Sequence, residues 1–490
     1  MSARLDRVAW HGTLWGVLGI AILIPFWMRM IVSPAPQEMR EGALLWSTRA
    51  ILQHQNPYGV ETLPGPANVY GPLYPLVVAP LAAFTGPTLL AHRLVNGLAI
   101  LAACALVFAA LRREGVSRLT ALAGAMINLA GLLYWVGPTA RPDGVGMVLL
   151  VGAYVVLAPD PASSGRRAVA LLLAIAGFAT KIYYVLPAGV MVAWFVIHRG
   201  PRGSLRTALA ASGAVSGAAL TLLWLCPAWA PIVLGANLRA STYDPWHLLL
   251  QSRDWAIFSL PLLVALATAW RPWRQPLDLW TVALACGVAT MLFALGGHRG
   301  AHMTYFFHLV TPPLTIIALR HADRTTLSRL AFAASLPLAI WLNAHWFTLD
   351  VARMARAERT FDRLARAIDD ARTPTGTSEF APLLMAAGVE PVETGHTEYF
   401  HISRPPGILV PFWGELSRLQ AGERRFTRRV YAALYSGAYD LVIANRRRLD
   451  VLTPDALSNR YQTVERVELD LPWAQQSWPV EVWIPRPARH

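Results

Sequence analysis

The sequence predicts an α-helical polytopic membrane protein of about eleven transmembrane helices with a small C-terminal α/β soluble domain. Three observations carry that expectation. The 490 residues are 55% hydrophobic, above the ~45–50% usual in soluble domains. The apolar residues come in long runs separated by short Arg-rich or Pro/Gly-rich segments, as expected of helices crossing a ~30 Å hydrocarbon layer. The long runs end near residue 347, and the pattern beyond it is mixed.

Spans are expected near 12–32, 89–111, 119–137, 144–158, 168–180, 182–198, 205–227, 255–270, 279–296, 303–319 and 328–347. The formal charge of +14 then sorts by side. Arg4 and Arg7, Arg112, Arg113 and Arg118, Arg166 and Arg167, Arg199, Arg202 and Arg206, Arg271 and Arg274, and Arg320, Arg324 and Arg329 all fall on one face. The positive-inside rule makes that face cytoplasmic. The protein is therefore expected in the cell inner or plasma membrane, with its N-terminus cytoplasmic and the tail extracytoplasmic. The basic charge reads as a topology signal, so no nucleic acid is expected as a partner. The first apolar core is too long for a cleavable signal peptide, and no small-residue cleavage site follows it. Cys104, Cys226 and Cys286 lie in or beside different spans and form no metal spacing.

The chain divides into a membrane part, 1–347, and a soluble part, 348–490. Within the first, residues 33–88 form an outer loop. "PQEMREGALLWSTRAILQH" has apolar residues at helical spacing and reads as an amphipathic helix lying on the membrane surface. "NPYG" breaks it. "VYGPLYPLVVAPLAAF" is too short to span and is split by Pro75 and Pro80, so residues 73–84 read as a re-entrant or interfacial segment. In the tail, a helix is expected over 351–371, with Val351, Met354, Phe361, Leu364 and Ile368 on one face, and another over 424–437. "YDLVIANRR" (439–447) and "VEVWIPR" (480–486) read as strands. Arg446–Arg448 reads as a solvated or headgroup-facing patch.

Ionisable groups near a bilayer that topology does not require mark function. Glu38 and Glu41 lie one turn apart on the expected loop helix. Arg141 and Asp143 occupy the turn "VGPTARPDGVGM" between two apolar runs, where an uncharged turn would serve; Asp143 could also simply cap the next helix. Lys181, the single lysine, sits in "GFATKIYYVLP". Its compact ammonium suits point contact with a phosphate oxygen, or it snorkels to the interface. His298, Arg299, His302, Tyr305 and His308 fall in "GGHRGAHMTYFFHLVTPP". The i, i+4 spacing of His298 and His302 leaves a divalent metal open; no cofactor is otherwise indicated. Asn237, Asp244 and His247 have weaker claims.

Taken together, a loop acid on a helix, "VYGPLYP", "RPD" at the next outer turn and "TK" between two short helices resemble the GT-C superfamily of membrane glycosyltransferases. The likeness is to the branch of protein O-mannosyltransferases and bacterial aminoarabinose transferases, and it covers residues 1 to about 320. It implies an inverting transferase whose donor is a polyprenyl-phosphate sugar and whose acceptor is a hydroxyl on a glycan, lipid or protein. It implies Glu41 as general base with Glu38 second, Asp143 as the second-loop acid, and Tyr70 beside the donor cavity. Lys181 would lie near the lipid phosphate, with Arg141, Arg299, His302 and Tyr305 as further donor-site candidates. The ExxE spacing departs from the acid pair common in that family. A transporter of a lipid-linked or anionic solute is the alternative, but it predicts acids at the bilayer midplane in related halves. A non-catalytic scaffold predicts that Glu41 and Asp143 tolerate replacement.

Overall fold

The computed structural model describes the chain except for residues 1, 39, 59–67, 134–136, 138, 161–162, 228, 230–242, 270–277, 299–303, 323–324, 347–350, 393–427, 446–453, 470–477 and 488–490. Its helices are α1 Ser2–Val32, α2 Glu41–Leu52, α3 Leu73–Thr85, α4 Leu89–Arg113, α5 Arg118–Leu133, α6 Asp143–Leu157, α7 Ser164–Thr180 and α8 Val185–Leu225. They continue as α9 Pro245–Ala269, α10 Leu279–Ala289, α11 Thr304–Leu309, α12 Thr311–Ala322, α13 Thr326–Trp346 and α14 Val351–Asp370. Among the described residues, three helical stretches are long and apolar enough to cross a membrane alone: Arg7–Val32, Leu89–Arg113 and Pro245–Thr268. The shorter apolar helices complete a bundle whose outside is itself apolar. Trp15, Ile22, Leu98, Leu172, Leu220 and Trp224 are all more than half exposed, which a water-facing surface would not sustain over so wide a belt.

The expected spans 182–198 and 205–227 lie in one helical segment, α8, 41 residues long. A straight helix of that length would separate its ends by about 60 Å. Instead, the ends meet. The Phe178 ring, just before α8, packs edge-on against Trp229, just after it, at 5.5 Å. Asn56 donates to the Leu225 carbonyl at 2.8 Å. The segment therefore folds back on itself, and both of its ends sit with the loop after α2.

That end of the bundle gathers the outer-loop elements. Arg93, in the first turns of α4, donates to the Met30 and Ser33 carbonyls at the end of α1. The thirteen-residue α3 begins beside the end of α7, where Gly71 N–H donates to Thr180 O at 2.9 Å, and leads directly into the start of α4. Its two ends thus lie beside the end of α7 and the start of α4. Tyr74 ties it to the His92 carbonyl, while Phe84 is 90% exposed on its outer side.

The reading of α2 as a surface helix needs correction. Nine of its residues are buried, from Glu41 to Ala50. α3 and α4 pack on one side, and the layer formed by the tail covers the other, with Gly42 pressed against Ala381. Helical apolar spacing cannot tell a helix lying on lipid from one roofed by protein.

In the tail, α14 turns Phe361, Leu364 and Ile368 onto a four-stranded sheet of order β1-β2-β4-β3. Its strands are β1 Pro374–Gly376, β2 Leu441–Asn445, β3 Tyr461–Leu469 and β4 Trp478–Pro485, with β1 parallel to β2 and the other pairs antiparallel. β2 and β4 lie where the sequence places them. β3, alternating buried and exposed residues, is a polar-faced strand that hydrophobicity alone passes over. The helix expected over 424–437 is described from 428 to 436. Arg446–Arg448 lie outside the described residues.

Candidate active site

Two acids of the outer loop take different partners. Glu41 and Arg93 are both fully buried. Arg93 Nε donates to Oε1 at 3.0 Å and Nη2 to Oε2 at 2.8 Å. Oε1 also accepts from Ala140 N–H at 2.6 Å, and Oε2 from Gln37 N–H at 2.6 Å and Glu38 N–H at 3.4 Å. A carboxylate offers about four lone-pair sites, so five donors saturate it. The carboxylate expected as general base is held by these donors, which join the loop, α4 and the turn before α6. Glu38 precedes α2 rather than sharing its face with Glu41. Its Oε1 accepts from Arg141 Nη2 at 2.8 Å, with Arg40 Nε at 3.9 Å.

The turn before α6 is held by Asn96 of α4, which donates to Thr139 O and accepts from Gly144 N–H at 2.8 Å. A Cβ on Gly144 would lie 2.5 Å from the Asn96 side-chain oxygen, so the close fit requires glycine. Asp143 opens α6 but makes no cap; no side-chain cap bond exists at this end of the helix. Its Oδ1 turns instead toward α7, accepting from Lys181 Nζ at 2.7 Å and from Tyr183 Oη at 3.2 Å. Tyr184 Oη donates to the Asp143 carbonyl. His308 Nδ1 of α11 shares a 2.9 Å hydrogen bond with Tyr183 Oη and lies 3.7 Å from Asp143 Oδ1.

Lys181 ends α7 in extended backbone and sends its ammonium among three tyrosine rings, 5.0 Å from Tyr70, 5.1 Å from Tyr183 and 5.2 Å from Tyr305. Ring faces attract a cation at such range. Tyr70 is brought there by its neighbour Gly71, where a Cβ would lie only 1.9 Å from the Ala179 carbonyl oxygen. Burial pushes the Tyr70 phenol up from its ordinary value, with Arg141 and then Lys181 pulling it down. Both cations thus bear on one ring.

Arg141 Nε, Asp143 Oδ2 and His308 Nε2 are buried in this cluster with no hydrogen-bond partner among the described residues. Leaving a buried polar group unmade costs ~1–3 kcal/mol, more for charged ones, and such groups mark places where a ligand or chemistry completes the bonding. Arg141 Nε is a donor and Asp143 Oδ2 an acceptor, two residues apart on one turn.

The structure thus brings together Glu38, Tyr70, Arg141, Asp143, Lys181 and Tyr305, and sets Glu41 apart in its own ion pair. Arg299, His302 and Asn237 lie outside the described residues. Asp244 caps α9 through Trp246 N–H, and Tyr243 pairs with His298 as an isolated bridge. Among the described residues no group of three His, Cys, Asp or Glu side chains is placed to hold a metal. Sequence reasoning passed over Arg93 and Tyr183, and named His308 without assigning it a role. Arg93 did carry a signal: a charge inside an apolar span, at the face the basic tally does not explain.

No family model matches the chain, and no curated protein matches it in sequence. Its fold is found in two crystal structures of ArnT from Cupriavidus metallidurans, one in the apo state and one bound to undecaprenyl phosphate. In both comparisons the TM-score is 0.55 and the identity 14%, over 96% of this chain and 98% of the other. The likeness is one of fold, and it supports a polytopic membrane architecture.

Proposed function

We propose that the chain is an inverting glycosyltransferase that takes a sugar from a polyprenyl-phosphate donor and passes it to an acceptor hydroxyl at the extracytoplasmic face. The ArnT-like fold supports the donor class, since one of those structures holds undecaprenyl phosphate. The observation that carries the reading is the pairing of Asp143 Oδ2 and Arg141 Nε, a buried acceptor and a buried donor with unmade hydrogen bonds on one turn.

In this reading Asp143 is the general base. The acceptor oxygen loses its proton to Oδ2 as it attacks the anomeric carbon; the bond from that carbon to the phosphate oxygen breaks on the opposite side, which inverts the centre. Such proton transfer is worth ~10²–10⁴-fold in rate. Lys181, fixed on Oδ1 by its own bond and three rings, keeps Asp143 ionised and aimed. Tyr183 and His308 complete its support. Arg141 takes the charge that develops on the departing phosphate, a role for which a planar five-donor fork is suited, and Glu38 holds it in place until the phosphate arrives. Glu41 with Arg93 is structural. The sugar and the acceptor are set by cavity shape beyond these residues.

The test is a reconstituted assay with a panel of radiolabelled polyprenyl-phosphate sugars, in proteoliposomes, following label transfer and anomeric configuration. Transfer with inversion from at least one donor supports the reading. Movement of the intact lipid-linked sugar between leaflets without bond cleavage would replace it with a transporter.

A further inference from the structure

The helices that build the acid cluster also frame a cavity at their other ends. On α4, Arg93 lies at the end that carries the cluster and Arg113 lines the cavity; the 20 residue steps from one to the other span about 30 Å, one hydrocarbon thickness. On α6, Asp143 opens the helix and Val155 lines the cavity. The cavity measures about 340 Å³ and is lined by Arg113, Glu114, Val155, Pro159, Arg166 and Trp280, among others.

Its charge is one-sided. Arg113 Nη1 donates to Val155 O and Arg166 Nη1 to Val156 O, both at 3.1 Å. Those are last-turn carbonyls of α6, the negative end of that helix, so the two guanidiniums are anchored side by side. Each spends one of five donors on the anchor. Glu114, the acid among the described lining residues, is engaged by Arg320 at 2.9 Å, and Arg320 also pairs with Asp278. Two cations therefore line the space while its carboxylate is already matched.

The approach to the cavity is apolar. On α7, Val169 lies one turn beyond Arg166 and Leu172 a turn further, and they are 45% and 65% exposed. Trp280, fully buried, closes the cavity wall and packs on Tyr154 at 5.8 Å. Paired guanidiniums at the level where an apolar helix face ends are suited to a phosphate that carries acyl chains: the phosphate on the fork, the chains along Val169 and Leu172.

We infer that this cavity is a binding site for the phosphate headgroup of an anionic membrane phospholipid, in the leaflet opposite the acid cluster. It does not depend on the transferase reading. Basic pockets between membrane helices take anionic headgroups, with each Arg near the surface contributing about a fivefold gain in binding.

The test uses the full-length protein in detergent micelles doped with phosphatidylglycerol or phosphatidylcholine, counting retained lipids by native mass spectrometry. Phosphatidylglycerol is expected to be retained over phosphatidylcholine. Arg113→Gln and Arg166→Gln are each expected to weaken retention about fivefold, and the double variant about 25-fold. Arg118→Gln, on the same face but outside the cavity, is expected to leave it unchanged. Ala158→Trp, which fills the cavity without altering charge, is expected to expel the lipid even if the double variant folds poorly. Undiminished retention in Ala158→Trp and the double variant would overturn the site. Displacement of phosphatidylglycerol by millimolar inorganic phosphate, with chains making no difference, would overturn its assignment to a lipid.

Discussion

Glu41 and Arg93 meet in a two-bond ion pair with neither side chain exposed, while Asp143, three residues beyond the Ala140 N–H that Glu41 accepts, keeps one buried oxygen without a partner. In the proposed reading the loop acid on the helix serves architecture and the turn acid serves chemistry.

Breaking the first pair is expected to cost stability. Arg93→Gln leaves the Glu41 carboxylate buried and unmatched, a loss of about 3–5 kcal/mol. Thermal unfolding in detergent checks it: the melting point falls sharply in Arg93→Gln and by less in Arg93→Gln/Glu41→Gln, where both charges are gone.

The Lys181–Asp143 pair behaves differently. Lys181→Met removes the partner of a buried carboxylate and should lower both the melting point and turnover. Adding Asp143→Asn should recover much of the melting point, because no uncompensated charge remains, but none of the turnover. Recovered turnover in the double variant would make the pair structural.

Gly71→Ala would drive a methyl to within 1.9 Å of the Ala179 carbonyl oxygen unless the backbone shifts. The expected shift carries Tyr70 off Lys181. Turnover should fall at least tenfold with membrane insertion unchanged, read by comparing labelled transfer with the amount of protein in the bilayer.

Much of this arrangement is legible in the sequence. The hydrophobic period places most helices, and charges that topology does not require pick out Asp143, Lys181 and Arg141 together. What sequence leaves open has a physical reason. The choice between Glu38 and Glu41 depends on which carboxylate meets an arginine 52 residues away, and spacing along one helix says nothing of that. α8 is helical by backbone from Val185 to Leu225 although its ends meet, so the break between the two expected spans takes the form of a reversal without a long loop. His308 is one of several histidines in its stretch, and only packing of α11 against the Lys181 turn singles it out.

The tail carries a pH response of its own. Partial burial acts to raise the Asp440 carboxyl, but N–H groups of Arg372 and Thr373, at 2.7 and 2.9 Å, outweigh it and hold the group below its ordinary 3.8. A depressed carboxyl contributes stability that is complete above its unfolded value and lost as pH falls through the folded one. Melting of the wild type should therefore fall between about pH 5 and about pH 3 more steeply than that of Asp440→Asn. Parallel curves would remove this contribution.

The central claim, that Asp143 rather than Glu41 receives the proton, is tested most directly by turnover per folded molecule in proteoliposomes for Asp143→Asn and Glu41→Gln side by side. The account predicts a loss of ~10²-fold or more in Asp143→Asn, against a change within about fivefold in Glu41→Gln once its lower folded fraction is counted. Near-normal turnover in Asp143→Asn, with turnover abolished in well-folded Glu41→Gln, would contradict it.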